Sequence, residues 1–158
     1  MKTVILDKTQ IERILRRIAY QIVEQCFNET EIVLVGIKPR GVWVANQLLD
    51  NLKSISELKV SMVTVTAEVP EDFIKIANTV ENACLILVDD ILNSGTTLML
   101  AASRIVLLNP KRVLTACLVD RKHRKFPIQS DFTGLSLATT IQEHLTLDIE
   151  NGPMIFLN

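Results

Sequence analysis

The sequence predicts an α/β domain in which a mainly parallel sheet lies between helices. Short apolar segments alternate along the chain with longer segments of helical periodicity, as in parallel strands joined by crossover helices. Residues 85–88 are apolar at every position, as expected for a strand covered on both faces. Loops of small and charged residues at 36–41 and 89–97 each follow an apolar strand and precede a helix. Open α/β sheets bind their ligands at such places.

The composition is that of one compact, enzyme-sized domain. The chain has 158 residues, 48% of them hydrophobic, which is enough for one good core and leaves little room for a second. We therefore expect a single domain over residues 1–158. The net charge is −1, from 17 basic and 18 acidic residues. Such a balance favours neither nucleic acid nor an anionic membrane as a partner of the whole surface.

Neither export nor membrane insertion is indicated by the sequence. Residues 1–7 are too short and too polar for a signal peptide, and no apolar run approaches the length that spans a bilayer. Cys26, Cys84 and Cys117 lie in apolar periodic segments without metal-ligand spacing. This pattern indicates core residues in a reducing compartment. We expect a cytoplasmic protein that does not associate with membranes.

The first half of the chain begins with a long amphipathic helix, ahead of which Asp7 and Gln10 form a possible capping pair. Residues 32–35 are a short apolar strand, residues 42–52 a second helix, and residues 59–67 an alternating strand. The buried stripe of the first helix consists of Ile11, Ile14, Leu15, Ile18, Ile22 and Cys26. The apolar side chains that compete for the core face of the alternating strand are Val60, Met62, Val63 and Val65.

The second half of the chain continues the alternation. The apolar strand that contains residues 85–88 is followed by a helix at residues 98–108 and by another apolar strand at residues 112–119. Short extended pieces around residues 135–137 and 154–157 would close the edge of the sheet or form a small cap.

Two adjacent carboxylates, Asp89 and Asp90, directly follow the apolar run and mark the main candidate site. At the carboxyl end of a parallel strand they could bind sugar hydroxyls or a metal ion. The turn after them precedes a helix, so its amides and hydroxyls could bind a phosphate. A purely structural alternative is that the acids cap the helix and the turn merely connects it. The turn comprises Asn93, Ser94, Gly95, Thr96 and Thr97.

A second loop leaves the strand at residues 32–35 through small and basic residues and enters a helix. Its glycines permit close approach of the backbone to a ligand, and Lys38 and Arg40 could offset the charge of a pyrophosphate. By itself the loop also fits a solvated turn. The loop consists of Gly36, Ile37, Lys38, Pro39, Arg40 and Gly41.

The segment at residues 84–97 resembles the ribose-5-phosphate-binding signature of type I phosphoribosyltransferases. It has four apolar residues, two acids, two apolar residues and a short loop of hydroxyl residues and glycine. The resemblance implies that Asp89 and Asp90 hold the ribose hydroxyls of phosphoribosyl pyrophosphate (PRPP) and that residues 93–97 wrap its 5-phosphate. Thr96 stands where the family frequently has Arg, which removes a cation near the phosphate. The pyrophosphate would bind at Lys38, Pro39, Arg40 and Gly41.

A third segment, residues 118–134, is similar to the PyrR type of this family, the bifunctional pyrimidine-operon attenuator and uracil phosphoribosyltransferase. The similarity extends to residues 11–19 and 32–45. It implies the type I phosphoribosyltransferase fold, with a twisted sheet flanked by helices and a small C-terminal hood. It also implies a base-side region at Asp120, Arg121, Thr139, Thr140 and Ile141.

The family's reaction displaces pyrophosphate at ribose C1 with Mg²⁺ as cofactor. The resemblance therefore implies three catalytic residues, Asp89, Asp90 and Arg40, which stabilise the positive ribose ring and the departing pyrophosphate. The metal would contact Asp89 and Asp90 only indirectly, through PRPP or water. Relatives form dimers or higher oligomers, so we expect a homo-oligomer.

The connection at residues 68–83 is short for this family, whose members carry a long flexible loop that closes over the reacting centre. Only 16 residues intervene here, of which some would form a helical turn. No basic or hydroxyl-rich tip is visible at residues 69–73. Because relatives use the loop to exclude water, we expect PRPP binding with reduced transferase activity.

Three classes of function stay open at this level. The first is a transferase that makes a nucleoside monophosphate from PRPP and a nucleobase, with uracil favoured. The second is a regulator with weak or no turnover that senses PRPP or pyrimidine nucleotides and binds RNA; the third is a nucleotide-binding module with neither role. Tyr20, where the family has His, and the acids Glu12 and Glu24 argue against RNA. The candidate RNA-binding residues are Arg13, Arg16 and Arg17.

Overall fold

A computed structural model describes residues 2–140 and 142–158. Five strands form a parallel sheet in the order β3-β2-β4-β5-β6, and three form an antiparallel sheet in the order β1-β8-β7. The predicted α/β class is confirmed. In the described part of the chain, no helix combines the length and hydropathy needed to cross a membrane. The elements are β1 (Thr3–Leu6), α1 (Lys8–Gln25), β2 (Glu31–Ile37), α2 (Gly41–Ile55), β3 (Lys59–Val65), α3 (Pro70–Val80), β4 (Cys84–Leu92), α4 (Thr96–Val106), β5 (Arg112–Asp120), β6 (Phe132–Ser136), β7 (Leu145–Asp148) and β8 (Met154–Leu157).

Helix α1 begins where the capping pair predicts. The Asp7 side chain accepts a hydrogen bond from the Gln10 backbone N–H at 2.8 Å, and the Gln10 side chain accepts one from the Asp7 backbone N–H at 2.9 Å. Each side chain thus satisfies an amide that the first turn leaves free. Five of the six predicted stripe residues are buried and Ile14 is half-buried, so this face packs into the core as predicted.

The central sheet has an apolar core on each face. Helices α1 and α2 cover one face and α3 and α4 cover the other. In β4, Ile86 and Val88 point toward the first layer while Leu85 and Leu87 point toward the second, and all four are fully buried. This explains why the run is apolar at every position.

Strand β3 serves both cores. Val60 and Met62 pack in the layer of α1 and α2, whereas Val63 and Val65 pack in the layer of α3 and α4. The two sets therefore do not compete for one face, because each of them has its own layer to fill.

Strand β4 and the connection at residues 68–83 both contain more regular structure than predicted. Strand β4 continues through the acidic pair to Leu92, because β5 pairs with it as far as the partners Leu92 and Asp120. Residues 68–83 contain an 11-residue helix, α3, and not merely a helical turn. Pro70 begins this helix, and Phe73 is one of its buried residues.

The C-terminal hood also contains strand β1. Strand β8 pairs with both β1 and β7, and the three strands contribute buried apolar side chains to the core at Leu6, Leu147 and Ile155. Strands β1 and β7 were not predicted from the sequence. Each has only four residues, so their stability depends on pairing with β8 rather than on local preference.

Candidate functional site

The carboxyl ends of β2, β4 and β5 bring the predicted loops together at one edge of the sheet. Gly41, at the end of the second loop, lies directly against β4. A Cβ atom added to Gly41 would be 2.5 Å from the Val88 carbonyl oxygen and 3.1 Å from Asp89 Cα. The candidate pyrophosphate loop and the acidic pair are therefore in backbone contact, which only glycine permits here.

The acidic pair lies half-buried near the carboxyl end of β4, two residues before the strand ends at Leu92. The Asp89 carboxylate accepts a hydrogen bond from the Asp90 backbone N–H at 2.9 Å. Burial raises the pKa of Asp89 well above its ordinary value, and the charges of Asp90 and Glu68 raise it further. Ligand hydroxyls or a cation at this position would offset an ionised Asp89.

We expect Asp89→Asn to raise the melting temperature by a few degrees near pH 7.5. A carboxyl whose pKa is raised by folding stabilises the folded state while it is protonated. That contribution is complete below the ordinary Asp pKa of 3.8 and is lost as the pH rises through the raised value. The neutral amide avoids this loss.

Thermal unfolding of wild type and Asp89→Asn at about pH 3.5 and 7.5 measures the effect. The difference in melting temperature should be largest at the higher pH and should shrink at the lower one. A variant less stable than wild type near pH 7.5 would contradict an unfavourable buried charge at Asp89.

The turn after β4 forms a small concave cradle at the start of α4. With Asp89 and Leu98 among its neighbours, it lines a cavity of about 100 Å³. Gly95 precedes α4 with φ 86° and provides no side-chain cap. The Thr96 backbone N–H donates to Ser94 Oγ at 3.3 Å, so the amides of the first turn that are available to an anion are those after Thr96. The Oγ atoms of Ser94 and Thr96 are 2.8 Å apart. All five predicted phosphate-loop residues line the cavity: Asn93, Ser94, Gly95, Thr96 and Thr97.

The segment after β5 supports this cradle from below. The Lys125 backbone N–H donates to the Ser94 carbonyl oxygen at 2.8 Å, and Arg124 Nη1 donates to the Asn93 carbonyl oxygen at 2.9 Å. Arg124 Nη2 forms an ion pair with Asp120 at 2.8 Å. Arg124 is therefore engaged by protein groups, whereas Lys122 is exposed.

Asp120 and Arg121, predicted beside the base, are both buried, with exposed fractions of 7% and 5%. The Asp120 carboxylate accepts hydrogen bonds from Arg124 and from the Lys122 backbone N–H. Arg121 donates to the side chain of Thr139 at 2.7 Å and to the carbonyl oxygen of Thr140 at 2.8 Å. The structure therefore places these four predicted residues together; the fifth, Ile141, lies outside the described residues.

The candidate pyrophosphate loop faces the hood. Lys38, Pro39 and Arg40 are exposed, the Lys38–Pro39 peptide bond is cis, and the Lys38 backbone N–H donates to the Val65 carbonyl oxygen at 2.8 Å. Pro39 and Arg40 line a cavity of about 480 Å³. Sequence reasoning missed the hood side of this cavity; the Leu-Thr-Leu-Asp alternation of β7 is the only local signal for it. The hood residues are Lys2, Thr146, Asp148, Ile149, Glu150, Phe156 and Asn158.

A metal cage formed by protein side chains is not found in the described part of the chain, where no three His, Cys, Asp or Glu residues cluster suitably. The acidic pair near the carboxyl end of β4 is still available at the site. Mg²⁺ commonly binds through one or two carboxylates together with substrate phosphates and water. The donor set therefore fits an ion held mainly by a phosphorylated ligand.

The three arginines of α1 differ in their surroundings. Arg17 donates to the carbonyl oxygens of Thr133 and Gly134 in β6, so it is engaged in the fold. Arg13 and Arg16 are exposed and line a cavity of about 370 Å³ between α1 and α2. The Arg16 guanidinium carbon lies 5.6 Å from the centroid of an exposed Tyr20 ring.

Known proteins resemble this chain over most of its length. Residues 2–148 match the family model described as the phosphoribosyl transferase domain. The Bifunctional protein PyrR of Streptococcus mutans is 38% identical over 153 residues, which cover 92% of this chain and 87% of that protein. The Bifunctional protein pyrR of Enterococcus faecalis is 32% identical over 161 residues, which cover 94% and 90%.

Solved structures show the same fold. The HGPRT-ase of Leishmania tarentolae, in complex with GMP, has a TM-score of 0.83 at 16% identity and covers 99% of this chain and 97% of its own. The hypoxanthine phosphoribosyltransferase of Trypanosoma cruzi has a TM-score of 0.79 at 14% identity, with 98% and 95% covered. At such identities the likeness concerns the fold alone.

Proposed function

The chain belongs to the phosphoribosyltransferase family and to its PyrR type, and from this membership we propose that it transfers ribose 5-phosphate from PRPP to uracil with release of pyrophosphate. The observation that supports the proposal most is the convergence of three elements at one sheet edge. They are the acidic pair Asp89 and Asp90, the cradle at residues 93–97 and the loop at residues 38–41. Together they offer acids for a ribose and donors for two phosphate groups.

The 5-phosphate would bind in the cradle after β4. The first-turn amides of α4 after Thr96 and the hydroxyls of Ser94 and Thr96 would supply donors there. Because Thr96 stands where the family frequently has Arg, these donors are neutral. Neutral hydrogen bonds are weaker than charge-assisted ones, so we expect lower PRPP affinity than in relatives with the Arg.

Catalysis would rest on charge placement around ribose C1. As the bond to pyrophosphate breaks, positive charge develops on the ribose ring, close to Asp89 and Asp90. Lys38 and Arg40 would stabilise the negative charge of the departing pyrophosphate. The burial of Asp89 strengthens such interactions, because fixed charges act more strongly where water is excluded. This scheme requires no covalent nucleophile.

Mg²⁺ is the cofactor that we propose, since the family generally uses it with PRPP. Asp89 and Asp90 would hold it indirectly, through water or the ligand. When bound, the ion would offset negative charge on the pyrophosphate oxygens.

Turnover should be slow because the segment that follows β3 is short and is hydrogen-bonded to α3 and α4. Only residues 66–69 separate β3 from α3. Asp72 in α3 accepts a hydrogen bond from the Thr66 backbone N–H at 2.7 Å, and Arg104 Nε donates to the Ala67 carbonyl oxygen at 3.0 Å. Anchored at both points, this segment cannot serve as the long lid that family members use to exclude water.

Pyrophosphate release tests the proposal directly. Wild-type protein is mixed with PRPP, Mg²⁺ and each nucleobase in turn, beside a PyrR relative that carries the long loop. We expect release that depends on uracil, at a rate constant at least about tenfold below that of the relative. Equal rate constants would contradict the expectation that a lid is missing. If pyrophosphate is released with none of the bases, the chain is not a transferase.

A second candidate function is regulation through RNA, which the exposed pair Arg13 and Arg16 supports. The same pocket would then sense PRPP or a pyrimidine nucleotide. Binding to RNA through such cations should weaken steeply as salt is added. A filter-binding titration of single-stranded and hairpin RNA at several salt concentrations measures this. Failure to bind RNA even at low salt would exclude this function.

A homo-oligomer is also part of the proposal. Val106 and Leu107, adjacent at the end of α4, are 59% and 79% exposed. Large apolar side chains grouped at one helix end fit a contact between copies. Sedimentation equilibrium gives the subunit number; a monomer at all concentrations would contradict this expectation.

A further inference from the structure

The geometry points to Arg121 as a positioning residue that holds the base-side segment, described at residues 139–140 and 142–143, against the 5-phosphate cradle. The base would then be presented at a fixed place relative to the ribose, although Arg121 itself does not touch it. This inference rests on the proposed function, because the base side of the site is assigned through the family.

The guanidinium of Arg121 is almost fully occupied by protein groups. Arginine has five N–H donors, and four hydrogen bonds from Arg121 reach acceptors in the described residues. The side chain is only 5% exposed. With one donor left and almost no accessible surface, the group is suited to joining protein segments rather than binding a ligand. The acceptors are Thr139 Oγ1 at 2.7 Å, Asn93 Oδ1 at 3.1 Å, the Thr140 carbonyl oxygen at 2.8 Å and the Glu143 carbonyl oxygen at 2.6 Å.

The base-side segment depends on such bonds for its conformation. It lies between β6 and β7, and its described residues belong to no helix or strand. Besides Arg121, His123 contributes a contact of 2.6 Å between its Nε2 and the Thr139 carbonyl oxygen. A further bond closes the segment on itself, from the Thr140 backbone N–H to Glu143 Oε2 at 2.9 Å. Side chains from the end of β5 therefore hold this segment in place.

Arg121 also binds Asn93, the first residue of the cradle. Arg121 Nη1 donates to Asn93 Oδ1, while Arg124 fixes the Asn93 carbonyl oxygen. One rigid guanidinium thus spans the two halves of the proposed site, with three bonds to the base side and one to the phosphate side. Loss of Arg121 should consequently affect the base more than PRPP.

The competing possibility is that Arg121 contacts the base directly, as its sequence position beside the PRPP site suggests. The positioning role and the direct contact predict different effects of Arg121 substitution when Thr139 is also changed. If Arg121 acts through the segment, removing the Thr139 hydroxyl breaks a bond that Arg121 itself makes, so the effects of the two substitutions do not add. If Arg121 binds the base itself, the two side chains contribute independently and their effects add.

The test compares wild type, Arg121→Lys, Thr139→Val and the double variant in steady-state pyrophosphate release. Lysine keeps the charge but not the planar fork. We expect the KM for uracil to rise about tenfold in Arg121→Lys and by a smaller factor in Thr139→Val, with the KM for PRPP changed by less than about threefold. The double variant should be no worse than Arg121→Lys. Lys53→Gln, an exposed charge at the far end of α2, is the matched control and should leave both constants unchanged.

Additive effects in the double variant, or an unchanged uracil KM in Thr139→Val, would assign Arg121 to direct base contact and overturn the inference. Amide hydrogen exchange of residues 137–144 without ligand gives a second readout. Exchange there should be faster in Arg121→Lys than in wild type, and unchanged exchange would also overturn it. If wild type shows no turnover with any base, the proposed function fails while the exchange result still decides the role of Arg121. If Arg121→Lys does not fold, exchange in Thr139→Val decides it.

Discussion

The double variant Asp89→Asn/Asp90→Asn should lose uracil-dependent pyrophosphate release by a factor of about 10² to 10³. The two acids lie near the carboxyl end of β4, where Asp89 borders the cradle and its backbone lies against Gly41 of the candidate pyrophosphate loop. In the proposed reaction their negative charge stabilises a ribose ring that is positive only in the transition state. Amides keep the size of both side chains and remove this charge.

Stability separates this loss from unfolding. Because burial and Asp90 raise the pKa of Asp89, removing both acids should leave the melting temperature near neutral pH unchanged or higher. Asp50→Asn, at an exposed position of α2, is the matched control and should retain the wild-type rate. Turnover of the double variant within about threefold of wild type would remove the acidic pair from the catalytic residues.

Gly41→Ala should cost about 3 kcal/mol of unfolding free energy and abolish PRPP binding. The new Cβ would be 2.5 Å from the Val88 carbonyl oxygen and 3.1 Å from Asp89 Cα. Both atoms belong to the backbone of a central strand, which cannot move aside as a flexible side chain can. The clash would separate the start of α2 from β4, and with it the pyrophosphate loop from the acidic pair. Urea unfolding and calorimetric titration with PRPP measure the two effects.

Asn46→Ala is the control for this substitution. It introduces the same side chain at an exposed position in the same helix, where alanine has higher helix propensity than asparagine. Its stability should equal or exceed that of wild type, with PRPP binding retained. A Gly41→Ala variant as stable as Asn46→Ala would mean that the loop and β4 separate without cost, and that their contact is not required.

Much of the fold was predictable because its signals are local. The apolar run at residues 85–88 indicated a strand buried on both faces, and the structure places its side chains alternately in two cores. The start of α1 was predictable from Asp7 and Gln10, since their reciprocal hydrogen bonds span only three residues. The candidate phosphate cradle followed from its position between a strand and a helix, which adjacent residues define.

Other features had no comparable local signal. The strand character of Asp89 and Asp90 depends on pairing with β5, and the four-residue strands β1 and β7 depend on pairing with β8. The helix α3 was underestimated because its start depends partly on the bond from Thr66 to Asp72 and its burial on packing against the sheet. Tertiary pairing overrides local preference in such short segments.

By itself the sequence determined the α/β class, the position of the acidic pair and the family, because apolar periodicity, capping and a contiguous motif are written in neighbouring residues. Only the tertiary structure decided which basic residues remain available to a ligand. Arg17 is engaged by β6 and Arg121 by four distant acceptors, whereas Arg40 is exposed at the cavity beneath the hood. All three arginines are candidate site residues in the sequence. Their roles differ because a guanidinium's partners are set by chain segments that folding brings together from far apart.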